Sequence, residues 1–351
     1  MINELKAGIA DYAIYLPKKT IDAEELSAIT NIPVNVIRDK MGIHRRYVGS
    51  PEDQPGIMAA KAAKAVLENT GINPKEIDII IYAGETYCEY TCWTASIYIQ
   101  QQIGATVDSC YAFDLSFRCA GTPLGLKIAR EMMYADPAIK TILLAAGNAN
   151  CNGVNLRDPS HSFLFNMAPS GFAAIIKRDF DRNLILGTGI VTDPVFATDC
   201  QGTHGGTANH LTMEKVKAII ENPRLLDEIN YFTIPDKERM KNNLAERSLP
   251  DFTAAVKKAC VNTGIMPSEI DFISMVATNP KAHFAIMDAL GIDKEKTIYQ
   301  YEHGHCGHPD NFIALDLGIK AGKVKDGSLV CMIGAGSGYA FSSSIIKWGK
   351  G

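Results

Sequence analysis

The sequence predicts an α/β fold made of two similar halves, and three observations carry that expectation. Short apolar, β-branched runs alternate with longer stretches of helical periodicity, the pattern of buried strands covered by helices. Residues 69–78 read NTGINPKEID and residues 262–271 read NTGIMPSEID, so eight of ten positions agree at an offset of 193. The chain has 351 residues, 46% hydrophobic and 21% charged, which is long enough for two medium units of ordinary globular composition.

Along the chain, LKAGI at 5–9 is echoed weakly by LGTGI at 186–190, so the second copy begins near residue 184. The expected division is a half at 1–180 and a half at 181–351. Residues 54–69 read as a helix with Ala59, Ala60, Ala63 and Val66 on one face, and residues 249–263 are its counterpart. After each helix comes the NTGI turn and then a strand, at 79–83 and at 272–277. Further strands are expected at 111–115, 141–145 and 328–333. An amphipathic stretch covers 312–323, and a glycine-rich turn into a strand covers 333–346.

Composition excludes several functions. Thirty-five Lys and Arg against 39 Asp and Glu give a net charge of −4, without the basic excess that a nucleic-acid partner needs. The first residues lack a basic-then-apolar export pattern, and no uncharged apolar run reaches membrane-spanning length, so a cytoplasmic chain without membrane association is expected. Nine cysteines, an odd number and widely spaced, are expected to be reduced thiols.

Two segments carry candidate chemistry. In YAFDLSFRCAGTPLGLKIAREMMYAD, at 111–136, a strand ends by Ser116 and a helix opens near Pro123, which a first turn tolerates, with Leu124, Ile128 and Met132 at four-residue spacing. Cys119 then lies at or just before a helix amino terminus, where partial positive charge favours the thiolate and lowers the thiol pKa, as a nucleophile needs. The bland alternative is a small buried thiol. In YEHGHCGHPDN, at 301–311, His303, His305, Cys306, His308 and Asp310 share one glycine-rich loop. A general base with its orienting carboxylate for a Cys/His/Asp arrangement fits this loop, as do a crowded metal site and a solvated loop without a role. LGLKI at 124–128 resembles LDLGI at 315–319, an offset of 191 that puts Asp310 near the position Cys119 occupies in the first half. The closing glycine turn lacks phosphate-loop spacing; its N–H groups suit an oxyanion-hole donor or a plain tight turn.

These residues, in this order, resemble the thiolase superfamily and, within it, the β-ketoacyl-ACP synthase III-like branch. The likeness spans nearly the whole chain: KMGIHRR at 40–46, the NTGI-x-P-x-EID segment, Phe113-Asp114 through Cys119-Ala120-Gly121, the Gly304 loop and the closing Gly-Ser-Gly-Tyr turn. The resemblance implies a five-layer αβαβα sandwich of two similar halves, usually a homodimer. It implies that an acyl group from acyl-CoA or an acyl carrier protein loads onto Cys119 as a thioester and passes to a second substrate. CoA or phosphopantetheine thioesters are then substrates, with no tightly bound cofactor and no metal. Ser337 matches the position of the family's second oxyanion donor.

The departures from the family pattern are as informative. Carbon–carbon condensing members carry a histidine just after the second-half strand and an asparagine in a Gly-Asn-Thr loop; here the regions read Met275-Val276-Ala277-Thr278-Asn279-Pro280 and Gly304-His305-Cys306. Gly-His-x-Gly-x-x-Asp, at 304–310, is similar to a variant subset of acyltransferases and unusual priming synthases, which implies His305 as general base and Asp310 as its orienter. A base must take a proton from the thiol or an incoming hydroxyl, and a carboxylate fixes the imidazole tautomer. Gly84-Glu85-Thr86 is similar to the Gly-Thr-Glu-Thr/Ser segment of HMG-CoA synthases, so Glu85 either transfers protons or caps a neighbouring helix. The tryptophan that stacks on the CoA adenine in condensing members falls on an aliphatic residue near Val36.

Three functions follow as expectations. The first is an acyltransferase with Cys119, His305 and Asp310; the second is a Claisen-condensing ketosynthase or HMG-CoA synthase-like enzyme. The third, of another class, is a non-catalytic partner subunit of a paralogous ketosynthase. Phe163, Phe165, Met167 and Phe172 are equally good as chain-length pocket or as core.

Overall fold

The computed structural model describes residues 6–202 and 206–350, the Glu228 side chain set aside; Leu5 of the weaker echo lies outside them. The strands are β1 (Ala7–Tyr15), β2 (Lys19–Asp22), β3 (Arg45–Val48), β4 (Ile79–Tyr82), β5 (Tyr111–Asp114), β6 (Thr141–Asn148), β7 (Ser170–Arg178), β8 (Arg182–Thr192), β9 (Phe272–Met275), β10 (Leu329–Gly336) and β11 (Ala340–Lys350). The helices are α1 (Ala23–Thr30), α2 (Pro55–Thr70), α3 (Ala95–Ile103), α4 (Gly121–Ala135), α5 (Met213–Glu221), α6 (Leu226–Asn230), α7 (Lys237–Thr263), α8 (Pro280–Leu290) and α9 (Asp310–Lys320).

The strands form one sheet in the order β5-β4-β6-β7-β1-β8-β11-β10-β9, with β2 and β3 as a separate pair. The two ends of this sheet repeat each other. β4 pairs in parallel with β5 and β6, and β9 pairs in parallel with β10. The counterpart of the Ile80–Ala112 pairing is a single parallel bridge between Ile273 and Thr297, where a fifth strand of the second set would stand. The two sets meet at β1 and β8, through the Gly8–Leu184 pair.

Alternation along the strands explains the layers. Ile79 and Ile81 of β4, Ile142 and Leu144 of β6, and Val330 and Met332 of β10 face one cluster with Leu126 and Met133 of α4 and Phe312 and Leu315 of α9. Ile80, Tyr82, Leu143 and Ala145 face outward onto α2 and α3. Ile273, Met275, Cys331 and Ile333 face outward onto α7 and α8. The result is the five-layer αβαβα sandwich that the resemblance implies, with α4 and α9 in the central layer.

The repeated decapeptide folds the same way twice. Gly71 and Gly264 end α2 and α7 with φ of 67° and 70°, the left-handed C-cap that glycine adopts without strain. A 3-10 turn follows each, at Pro74–Glu76 and Pro267–Glu269. The closing aspartates tie adjacent strand starts together: Asp78 accepts from the Lys140 and Thr141 amides at 2.7 and 2.8 Å, and Asp271 from the Leu329 amide at 2.8 Å.

One expectation needs correction. The helix expected at 249–263 begins at Lys237 and carries Pro250 inside it. Pro250 reads as a boundary in sequence because its ring removes a helix hydrogen bond and crowds the preceding turn. Tertiary contacts override it: Arg239 pairs with Asp199 and Arg247 with Asp193, both at 2.8 Å, clamping the front half of α7 onto residues 193–199. The nine cysteines are all free thiols. No helix among the described residues is long and apolar enough to cross a membrane.

Candidate functional site

Cys119 sits in a 3-10 turn, Arg118–Ala120, that runs directly into α4 at Gly121. The placement at a helix start matches expectation; the electrostatics do not. The Cys119 side chain is buried at the floor of a cavity of about 770 Å³, and burial, with Glu85 beside it, raises the thiol above its ordinary range, while His305 pulls it back down. Desolvation of the thiolate outweighs the helix-terminus effect on which the sequence argument relied. Arg118, immediately before the cysteine, holds a left-handed φ of 53°, a conformation that residues with a Cβ seldom adopt.

The His305 loop is pinned from both sides. The His305 amide donates to the Asn166 carbonyl at 2.6 Å, the Ala168 amide to the His305 carbonyl at 2.9 Å, and Ser170 Oγ to the Cys306 carbonyl at 2.5 Å. Asp310, the first residue of α9, is fully buried and accepts three hydrogen bonds: His305 Nδ1 at 2.5 Å, the Ala277 amide at 2.8 Å and the Cys306 amide at 2.8 Å. Burial alone would lower the His305 imidazole; Asp310 and Cys119 outweigh it and hold it well above its ordinary range. Cys119, at the entry to α4, and Asp310, at the start of α9, thus occupy the repeat-related positions that the offset of 191 indicates.

Glu85 closes the other side of the sulfur. Its side chain is fully buried, with Oε1 3.5 Å from Cys119 Sγ and Oε2 3.4 Å from Arg118 Nη1. Among the described residues no helix amide donates to the Glu85 carboxylate, whose neighbours there are Cys119, Arg118 and His308. Ser337 lies in the turn between β10 and β11 and lines the same cavity. A Cβ at the preceding Gly336 would stand 2.6 Å from Arg118 Cβ and 3.1 Å from the Cys119 nitrogen, so β10 runs tightly alongside the cysteine turn.

Phe163 and Met167 line the cavity, together with Val36 and with Leu244 and Ser248 from the clamped front of α7. Phe165 and Phe172 do not: both are fully buried core residues. Among the described residues no three His, Cys, Asp or Glu side chains converge as a metal site.

Comparison with known proteins decides the lineage. The family model for 3-oxoacyl-[acyl-carrier-protein] synthase III matches residues 113–194, and that for its C-terminal part matches residues 260–348. The chain belongs to the 3-oxoacyl-ACP synthase III branch of the thiolase superfamily. A β-ketoacyl-ACP synthase III of Synechocystis sp. is 24% identical over 350 residues, covering 99% of this chain and 100% of that one. A family structure from Pseudomonas aeruginosa superposes with a TM-score of 0.82 at 18% identity, covering 98% of this chain and 99% of that one. OleA of Xanthomonas campestris superposes with a TM-score of 0.79 at 18% identity, covering 98% of each chain. The chain is an enzyme of this family.

One residue of the site escaped sequence reasoning. His308 reads in sequence as one more histidine of the loop, yet its ring is fully buried and its Nε2 lies 4.0 Å from Glu85 Oε1. The available signal was its place two residues before the start of α9, where the chain turns inward; nothing local indicated Glu85 as its neighbour.

Proposed function

We propose that the chain is an acyltransferase of the synthase III type, taking an acyl group from acyl-CoA or an acyl carrier protein onto Cys119 and passing it to a second substrate. The observation that carries this reading is the 2.5 Å His305 Nδ1 to Asp310 Oδ2 contact beside a buried thiol at the floor of an apolar cavity. In loading, Nε2 of His305 takes the thiol proton, the sulfur attacks the acyl carbonyl, and the donor thiolate leaves with that proton. Asp310 fixes the tautomer and stabilises the imidazolium. The backbone N–H groups of Cys119 and Ser337 stabilise the oxyanion, a role supported by the close passage of Gly336 past the cysteine turn. The first half, 1–180, brings the cysteine and the second, 181–351, brings the histidine and aspartate.

Two side chains of the lining, Lys40 and Arg118, are cationic and suit the phosphates of a CoA or phosphopantetheine thioester. The nine free thiols fit a reducing, cytoplasmic setting. A homodimer is the assembly we infer: β5 is a short edge strand beside the exposed side chains of Tyr111 and Ile97, which a second copy would cover.

Claisen condensation is the second reading, favoured by relatives named β-ketoacyl-ACP synthase III and by the Glu85 carboxylate at the sulfur. A non-catalytic partner subunit is the least supported, because Cys119, His305 and Asp310 are all present and mutually placed.

Intact-protein mass spectrometry with a panel of acyl-CoA and acyl-ACP thioesters tests the reading. An adduct of acyl mass is expected on the wild type and none on Cys119→Ala; the absence of any adduct would leave the partner-subunit reading in front. Products formed with malonyl or acetyl thioesters separate condensation from transfer to an alcohol or amine.

A further inference from the structure

Three asparagines line the cavity, and two of them are engaged with the backbone. Asn166 Nδ2 donates to the Ala277 carbonyl at 3.0 Å, and Asn279 Oδ1 accepts from the Ala282 amide at the start of α8 at 2.9 Å. The third, Asn150, is only 7% exposed, and its Oδ1 is buried without a hydrogen-bond partner. Among the described residues its Nδ2 makes no hydrogen bond either. An unpaired amide at this depth is uncommon in a folded protein, and here it belongs to the wall of a substrate cavity whose lining is otherwise rich in apolar groups such as Phe163, Leu164 and Leu244.

The chain around Asn150 holds it firmly and close to the chemistry. Residues Asn150–Gly153 form a 3-10 turn just after β6. At the start of the turn the Asn150 backbone N–H donates to Asn148 Oδ1 at 2.9 Å. At its end the Phe232 N–H donates to the Gly153 carbonyl at 2.7 Å, and a Cβ at Gly153 would stand 2.7 Å from the Phe232 ring, so the ring closes directly onto the glycine. The strand end that leads into the turn is tied to both sides of the reacting centre. The Gly147 carbonyl accepts from the Glu85 amide at 3.3 Å, and Asn148 Nδ2 would stand 2.9 Å from a Cβ at Gly307 of the histidine loop.

We propose that Asn150 is a specificity-determining residue that selects an acyl group carrying a hydroxyl on one of its first carbons, C2 or C3. The proposal rests on the acyl-transfer reading above. A hydroxyl donates and accepts at once, so it matches either end of an amide. Water serves such an amide in an open cavity. A plain alkyl chain loaded on Cys119 displaces that water and returns no hydrogen bond, which leaves the buried amide unpaired. A site arranged to bond a hydroxyl therefore rejects the chain lacking it more steeply than an apolar pocket discriminates by size. The acyl group, rather than the acceptor, is the source of the hydroxyl because of depth: Cys119 is 5% exposed and Asn150 7%, so the chain anchored on the sulfur is the part of the substrate that reaches this level. The first carbons are the ones selected because the turn follows a strand end that touches the histidine loop.

The test measures loading of Cys119 by rapid-quench mass spectrometry with hexanoyl, racemic 2-hydroxyhexanoyl, racemic 3-hydroxyhexanoyl and 6-hydroxyhexanoyl thioesters of CoA and of acyl carrier protein. Wild type is expected to load the 2-hydroxy or the 3-hydroxy chain with a kcat/KM at least about tenfold above that of hexanoyl, and 6-hydroxyhexanoyl no better than hexanoyl. In Asn150→Leu, which keeps the side-chain volume and removes the amide, that ratio is expected to fall to within about threefold of one. No preference in wild type, a preference that survives in Asn150→Leu, or an equal gain from the 6-hydroxyl overturns the assignment. A ratio near one in loading, with the amide affecting only the decay of hexanoyl-enzyme by propane-1,2-diol against propanol, places the hydroxyl on the acceptor and overturns it too. If Asn150→Leu does not fold, Asn150→Ala reads the same ratio, and the wild-type panel by itself still decides whether a hydroxyl near the carbonyl is preferred.

If no thioester loads the wild type, the acyl-transfer reading fails, and the amide is judged separately. Free hexanoate and its 2-hydroxy and 3-hydroxy forms are then compared as protectants of Cys119 against iodoacetamide. Protection at least about fivefold tighter by a hydroxylated chain, abolished in Asn150→Leu, supports recognition of the hydroxyl by Asn150. Equal protection by all three overturns it.

Discussion

Replacing Asp310 by asparagine removes a charge and exchanges an acceptor for a donor with almost no change in volume. The carboxylate is fully buried and accepts from His305 Nδ1, the Ala277 amide and the Cys306 amide, at 2.5, 2.8 and 2.8 Å. An asparagine oxygen can keep the Cys306 bond, which turns the side-chain NH₂ toward Ala277 and His305. The Ala277 N–H is then stranded, at about 1–3 kcal/mol, and the Cys306 bond weakens from charged to neutral for roughly 1 kcal/mol more. The second effect falls on rate. His305 is driven to the tautomer that accepts at Nδ1 and carries its proton on Nε2, which cannot take the thiol proton. Loading is expected to fall by roughly 10³–10⁴-fold, as when the corresponding carboxylate of a Ser-His-Asp triad becomes an amide. Rapid-quench mass spectrometry of the acyl-enzyme measures the rate, and urea unfolding measures the stability. Loading within about tenfold of wild type would refute the claim that Asp310 sets the His305 tautomer.

Two further outcomes follow from the same structure. The folded state holds the His305 proton more tightly than the unfolded chain, whose histidine titrates near 6.5, because Asp310 and Cys119 outweigh burial. That contribution to stability is complete below about pH 6.5 and is lost as pH rises through the raised folded value, so urea midpoints of wild type and Asp310→Asn are expected to approach one another at alkaline pH. A gap that stays constant from neutral to alkaline pH refutes this. Gly71→Ala and Gly264→Ala test the repeat: both glycines sit at positive φ, 67° and 70°, with no atom within 4 Å of an added Cβ. Each substitution is expected to cost about 1–2 kcal/mol from backbone strain alone, with the two effects additive. Costs that differ by more than about 1 kcal/mol would show that the two turns are not equivalent.

What could be read in the sequence was local in cause. The NTGI-x-P-x-EID segment encodes a left-handed glycine cap, a proline-led 3-10 turn and a strand-tying aspartate within one decapeptide, so both copies announced themselves. Cys119 and the His305–Asp310 loop stood out for the same reason, since each group of residues lies within one short segment. What was missed depends on distant chain. The front of α7 continues through Pro250 because Asp193 and Asp199 hold its arginines. The thiol is raised rather than lowered because the rest of the sandwich closes over it. The partner of Glu85 is a histidine from the other end of the chain, and no periodicity points from one to the other.

Cys119 and Asp310 stand at the same place in the two repeats, one before α4 and the other opening α9. Two separate, identical copies of such a repeat, related by a true twofold, would have to present the same residue at both places, a thiol facing a thiol or a carboxylate facing a carboxylate. Joining the copies in one polypeptide lifts that requirement. Covalent continuity thereby lets the two equivalent slots differ, and the difference becomes a polarity, nucleophile on one side and the carboxylate that orients its base on the other, that neither repeat holds by itself.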